Sequence, residues 1–178
     1  MKKGVILIIF IIFGWAGFAG AITFNGHDYQ VVTYQNQSWD AATEHMLNNL
    51  GSNYHLATIT NQAEQAFIQN TLLANYSGEY WLGGYQKNPE AAPDETWTWV
   101  TGEDWLLYNN WYSSEPNDAH NGEQYLAMWS SFEWQWNDEA AFGNITGYIV
   151  EAPVPEPATL LLLGSGIAGL ALYRRKRI

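Results

Sequence analysis

Between Trp111 and Asp138 the chain carries Glu115, Asn117, Glu123, Asn137 and Asp138, five side chains that can turn oxygen toward one hard cation. Carboxylates mixed with carboxamides, with no His or Cys among them, suit calcium better than zinc. Calcium takes roughly six to eight oxygens. The five side chains and the Asp138 carbonyl supply six, and two ligand hydroxyls complete the shell. Three carboxylates against a doubly charged cation leave about one net negative charge, enough to bind the ion without locking it. Pro116 stands between the first two ligands, and a cis peptide there would turn Glu115 and Asn117 the same way. The same stretch is rich in Trp and Tyr, whose flat faces suit sugar rings. Trp134 is the expected stacking face, and Trp129, Trp136 and Tyr125 read as core.

The elements that must position this stretch read as α+β. A strand is expected over Tyr29 to Tyr34. Ser38 caps a helix from Trp39 to about Leu50, with Trp39, Ala42, Met46 and Leu50 on one face, and Gly51 ends it. Leu56 to Ile59 reads as a short strand. Asn61 followed by Glu64 starts a second helix to about Leu73, with Phe67 inward. Tyr80 to Gly84 and Thr96 to Val100 are strands, the second with Trp97 and Trp99 on one face. A long irregular segment then runs to Gly122, and its aromatic content argues for order. Glu123 to Trp129 and Gly147 to Glu151 close the fold.

Glu115-Pro116-Asn117, then Glu123, then Trp136-Asn137-Asp138, resembles the sugar-binding calcium site of C-type lectin domains, and Trp81-Leu82-Gly83 is similar to that family's Trp-Ile-Gly strand. The resemblance covers about residues 22–152. It implies a C-type lectin-like fold with two helices, small antiparallel sheets and a long calcium- and sugar-binding loop. It implies Glu115, Asn117, Glu123, Asn137 and Asp138 as ion ligands, the first four also bonding sugar hydroxyls. The Glu-Pro-Asn form goes with mannose, glucose and N-acetylglucosamine. The family normally has two disulfides, and this chain has no cysteine. Alignment puts Met46 and Val150 at one absent pair and Tyr125 and Ala141 at the other, so both should be packing contacts. Asp118 is considered for an auxiliary ion site, solvent exposure being its other reading. His120 reads as a solvated loop residue.

Both ends read as targeting segments. Lys2-Lys3, an apolar run and Ala19-Gly20-Ala21 form a signal peptide over residues 1–21, a retained anchor being the other reading. At the end, Pro155-Glu156-Pro157, the sixteen residues Ala158 to Tyr173 and Arg174 to Arg177 resemble the PEP-CTERM sorting signal of exopolysaccharide-making bacteria. That resemblance assigns residues 153–178 to sorting. It implies export through the inner membrane, a C-terminal membrane helix removed by an exosortase, and a destination at the cell surface or in the matrix. A permanent anchor is the alternative. The basic ends hold six of the seven Lys and Arg, so Lys87 alone faces seventeen acidic residues between Ile22 and Val154, a net charge of −16. Such a body repels nucleic acid and anionic membrane and attracts divalent cations.

Three functions remain. A calcium-dependent carbohydrate-binding protein comes first. The same scaffold binding a protein, or building matrix without sugar, comes second. A glycosidase comes third: it needs two carboxylates roughly 5–9 Å apart, and carboxylates that ligate calcium are poor acids and nucleophiles. No Ser–His or Cys–His pairing and no His-Glu-x-x-His zinc pattern occurs.

Overall fold

A computed structural model describes residues 20–119, 122–141 and 144–154. Both targeting segments and His120 therefore lie outside the described residues, Gly20, Ala21, Pro153 and Val154 excepted. Among the described residues no helix is long and apolar enough to cross a membrane.

The chain opens with β1 (Ile22–Phe24) and β2 (His27–Thr33), an antiparallel hairpin. Helix α1 (Trp39–Asn49) follows, its first turn capped by Ser38 Oγ accepting from Ala41 N at 3.1 Å. Gly51, at φ 91°, leaves the helix in the left-handed region that glycine adopts without cost. The expected strand at Leu56–Ile59 is only β3 (His55–Leu56), because Ala57 N and Thr58 N turn to Ile149 O and the Glu151 carboxylate. Helix α2 (Gln62–Phe67) starts at Asn61, whose Oδ1 accepts from Glu64 N, and continues as one π turn over Ile68–Leu72. The Glu64 carboxylate reaches back to Thr60 N at 2.9 Å, one residue earlier than a standard capping box.

The remaining strands are β4 (Glu79–Gln86), β5 (Trp97–Trp99), β6 (Glu123–Trp129), β7 (Gln135–Ala140) and β8 (Gly147–Pro153). Instead of separate small sheets, they join the first three in one array ordered β1-β2-β8-β4-β6-β7, with β3 on β8 and β5 on β4. Pairing is antiparallel except between β4 and β8, where Tyr80 lies beside Gly147 and Trp81 beside Tyr148. Glycine is required at position 147, since a Cβ there would sit 2.0 Å from Val32 O of β2.

Two apolar clusters hold these layers. One joins Tyr29, Phe67, Ile68, Leu82, Trp99, Leu126, Met128 and Trp136. The other joins Trp39, Ala42, Met46, Leu56, Trp81, Tyr148 and Val150. Met46 and Val150 thus share a core, as the alignment at the first absent disulfide expects, and both are fully buried. The second expected pair does not form as such. Tyr125 lies opposite Glu139, not Ala141, and its ring packs on Trp39 at 5.1 Å and Trp81 at 6.2 Å. The register that sets Leu126 across from Asp138 and Ala127 across from Asn137 decides this, because it carries on to place Glu139, two residues before Ala141, across from Tyr125.

Candidate functional site

The long segment before β6 is held by indole rings rather than by a strand ladder. Trp105 packs at 5.6 Å from Trp97 and 4.7 Å from Trp99, and Trp111 at 4.9 Å from Trp97 and 5.8 Å from Trp136. Backbone bonds add Trp136 N to Asn110 O at 2.8 Å and Tyr112 N to Trp136 O at 3.0 Å. Trp136 itself donates Nε1 to Gln65 Oε1, which ties β7 to α2. Trp136 is core as expected, and its neighbours Asn137 and Asp138 inherit that rigidity.

From this base the chain reaches Glu115-Pro116-Asn117, whose Glu115–Pro116 peptide is cis. Asp138, 1% exposed, clasps the turn: its carboxylate accepts from Asn117 N at 3.0 Å and Asp118 N at 2.8 Å. Asp118 closes the next turn, with Oδ1 accepting from Gly122 N at 2.6 Å and Glu123 N at 2.9 Å. Those two N–H bonds, Glu123's first, hold the Asp118 carboxyl below its ordinary value. Glu123, 6% exposed, takes Ala119 N on Oε2 at 2.7 Å. A loop 21 residues away from Asp138 in sequence is thereby stitched to β6 and β7.

Glu115, Asn117, Glu123 and Asn137 line one cavity of about 680 Å³, together with Glu79, Glu139, Asn144, Trp129 and Phe132. Asp138 stands behind it, against Glu115. Burial pushes the Glu115 carboxyl up to about 7; the Ser114 hydroxyl pulls the other way, and the facing Asp138 and Glu123 carboxylates push further. The Asp138 carboxyl is raised as well, chiefly by burial, against the pull of its backbone donors. Glu115 Oε2 is buried without a hydrogen-bond partner. Among the described residues no ion pair to this group of carboxylates is found; the two ion pairs both join a His to Glu151. Among the described residues no three Asp, Glu or His side chains converge as a ready metal site, but the facing carboxylates and the buried Glu115 oxygen offer the all-oxygen chemistry that calcium takes.

Glu79 and Glu139 were not among the expected site residues. Glu79 is 4% exposed and accepts from Asn137 Nδ2 at 2.8 Å. Burial pushes its carboxyl up to about 7, offset in part by the Asn137 bond and reinforced by the Glu139, Glu123 and Glu115 charges. Nothing in sequence order marks it: it lies 58 residues from Asn137 and meets it only through the β4–β6–β7 register.

The aromatic wall also differs from expectation. Trp134 does not line the cavity. Glu133 and Trp134 both take left-handed φ, 56° and 62°, and the Trp134 ring goes to Tyr80 at 6.1 Å. Tyr80 and Glu79 are successive in β4 and face opposite sides of the sheet, so Trp134 is on the side away from Glu79. Trp129 instead sits opposite Glu79 and lines the cavity with Phe132. The Trp129 and Phe132 rings lie 4.6 Å apart, and Phe132 stacks on Tyr112 at 4.1 Å. A single 3-10 turn, Ser130–Phe132, follows Trp129 and carries Phe132 into this wall.

An α+β fold with a carboxylate-lined cavity beside a long ordered loop defines a small binding domain. Comparison with known proteins says which kind. The Lectin C-type domain family model matches residues 31–142, and the chain belongs to that family. A PEP-CTERM protein-sorting motif matches residues 153–177. A perlucin-like protein of Mytilus galloprovincialis is 28% identical over 97 residues, 53% of this chain and 59% of that one. The chain therefore spans little more than half of that relative's length. The fold matches the C-type carbohydrate-recognition domain of cow CD23, solved in the presence of a GlcNAc2Man3 oligosaccharide, at TM-score 0.64 and 23% identity, covering 78% and 96% of the two chains. It also matches a calcium-independent type II antifreeze protein at TM-score 0.62 and 22% identity, covering 78% and 95%.

Proposed function

We propose that this domain binds carbohydrate through calcium held by Glu115, Asn117, Glu123, Asn137 and Asp138, and that it is a binding protein rather than an enzyme. The observation that carries the reading is the Glu115–Asp138 pair, two facing carboxylates with a buried Glu115 oxygen that meets no donor among the described residues. Bound there, calcium supplies a hard Lewis-acidic centre that neighbouring sugar hydroxyls can ligate. The chain's own groups sort donors from acceptors. Glu115 and Glu123 accept from hydroxyl protons, and the Asn117 and Asn137 amides donate to hydroxyl oxygens. That arrangement favours the equatorial 3- and 4-hydroxyls of mannose, glucose or N-acetylglucosamine. Trp129 and Phe132 give the ring an apolar face on the cavity side.

The sorting motif supports an exported protein, processed at its C-terminus by an exosortase and delivered to the cell surface or an exopolysaccharide matrix. Residues 1–21 act in this reading as the signal peptide. The competing reading, a scaffold that binds protein or builds matrix without calcium or sugar, draws on the calcium-independent neighbour.

A glycan array probed in calcium and in chelator separates the two. Binding to mannose-type glycans in calcium, abolished by chelator and weakened by Trp129→Ala, is the expected result. Equal binding in both buffers, or no glycan bound in either, overturns the proposal.

A further inference from the structure

Asn is nearly symmetric in shape, yet its two ends do opposite things: Oδ1 can face a cation, whereas the Nδ2 protons repel one. Whatever fixes the Asn137 carboxamide therefore decides whether this position serves an ion or opposes it. Glu79 is the group in contact with that amide. Its backbone is pinned at the start of β4, with Glu79 N donating to Thr146 Oγ1 at 3.3 Å and Glu79 O accepting from Thr146 N at 2.7 Å. Its side chain is buried on the cavity side, opposite Trp129, and Oε1 accepts from Asn137 Nδ2 at 2.8 Å. An ionised carboxylate only accepts, so turning the amide over would set Oδ1 against Oε1, two acceptors in contact.

We propose that Glu79 is a positioning residue of the cavity, holding the Asn137 carboxamide with Nδ2 toward β4 so that Oδ1 is presented to a divalent cation. This rests on the calcium reading above. Glu79 acts through Asn137 and leaves one of the two Nδ2 protons for a ligand hydroxyl. Partners of ligating side chains commonly change metal affinity by about 10–100-fold when lost, because the ligand must then be ordered at the moment of binding.

The test measures calcium affinity by calorimetry and terbium affinity by luminescence sensitised through Trp129, at pH 8. Wild type is compared with Glu79→Gln, Glu79→Met and each change combined with Asn137→Ala. Gln keeps an acceptor oxygen of the same reach without the charge, and Met fills the space without an acceptor. The expected result is affinity within about threefold of wild type for Gln and a loss of about tenfold or more for Met. In the Asn137→Ala background both substitutions should then change affinity by less than about twofold, since the residue they act through is gone. Equal losses for Gln and Met, a Met loss that persists without Asn137, or wild-type affinity in Glu79→Met overturns the inference while leaving the calcium reading intact. A wild type that binds neither ion overturns both.

Discussion

Withdrawing calcium should lower the melting temperature of the domain by an amount that the site's composition sets. Three ligating carboxylates against one divalent ion resemble extracellular calcium modules, with dissociation constants of about 0.1–1 mM. A ligand that binds only the native state stabilises it by RT ln(1 + [L]/Kd). At about 10 mM calcium this gives roughly 1.4 to 2.7 kcal/mol. For a domain of this size each kcal/mol moves the melting temperature by about 3–5 °C, so the expected difference between calcium and chelator is about 4–14 °C. The Glu115–Asp138 pair adds a second signature. Glu115, pushed up to about 7 beside Asp138, retains part of a proton at neutral pH that calcium must displace, so binding should release protons and strengthen as pH rises. Scanning calorimetry across a calcium titration, repeated with magnesium, measures the shift. Titration in buffers of different ionisation enthalpy counts the protons. Magnesium should give little, because it demands tight octahedral geometry and dehydrates reluctantly. A melting temperature unchanged from chelator to 10 mM calcium refutes the reasoning, as does an equal response to magnesium.

Two further outcomes follow from the packing and the buried acids. Met46→Ala opens a cavity where the alignment places an absent disulfide, so it should cost about 2–5 kcal/mol in urea unfolding; a cost below about 1 kcal/mol would show that Met46 is not part of that core. In chelator, Glu79 and Glu115 have folded values near 7, above the unfolded 4.5. Their contribution is therefore fully present below about pH 4.5 and lost as pH climbs through about 7. The urea midpoint should be higher at pH 5 than at pH 8, with a smaller difference for Glu79→Gln; a midpoint that rises toward pH 8 contradicts the assigned direction.

What could be read from the sequence was local or ordered along the chain. Ser38 and Asn61 announced both helix starts because caps are short-range chemistry, and the spacing of Trp39, Ala42 and Met46 announced the buried face of α1. Glu115, Asn117, Glu123, Asn137 and Asp138 could be picked out as oxygen donors by residue type, and four of the five line one cavity. Register was not legible. Sheet pairing depends on contacts far apart in sequence, and a shift of one residue exchanges the faces of a strand. Long-range register places Tyr125 across from Glu139, two residues short of Ala141, and brings Glu79 to Asn137. The tertiary structure also decided the aromatic wall. Two left-handed residues at Glu133 and Trp134 send one ring to Tyr80, and the alternation of β6 gives the cavity to Trp129. The sequence by itself determined which atoms are available for an ion and a sugar. Only the folded sheet determined that the Glu79 carboxylate meets the Asn137 amide and that Trp129 lines the cavity, because both depend on strand register rather than on residue type.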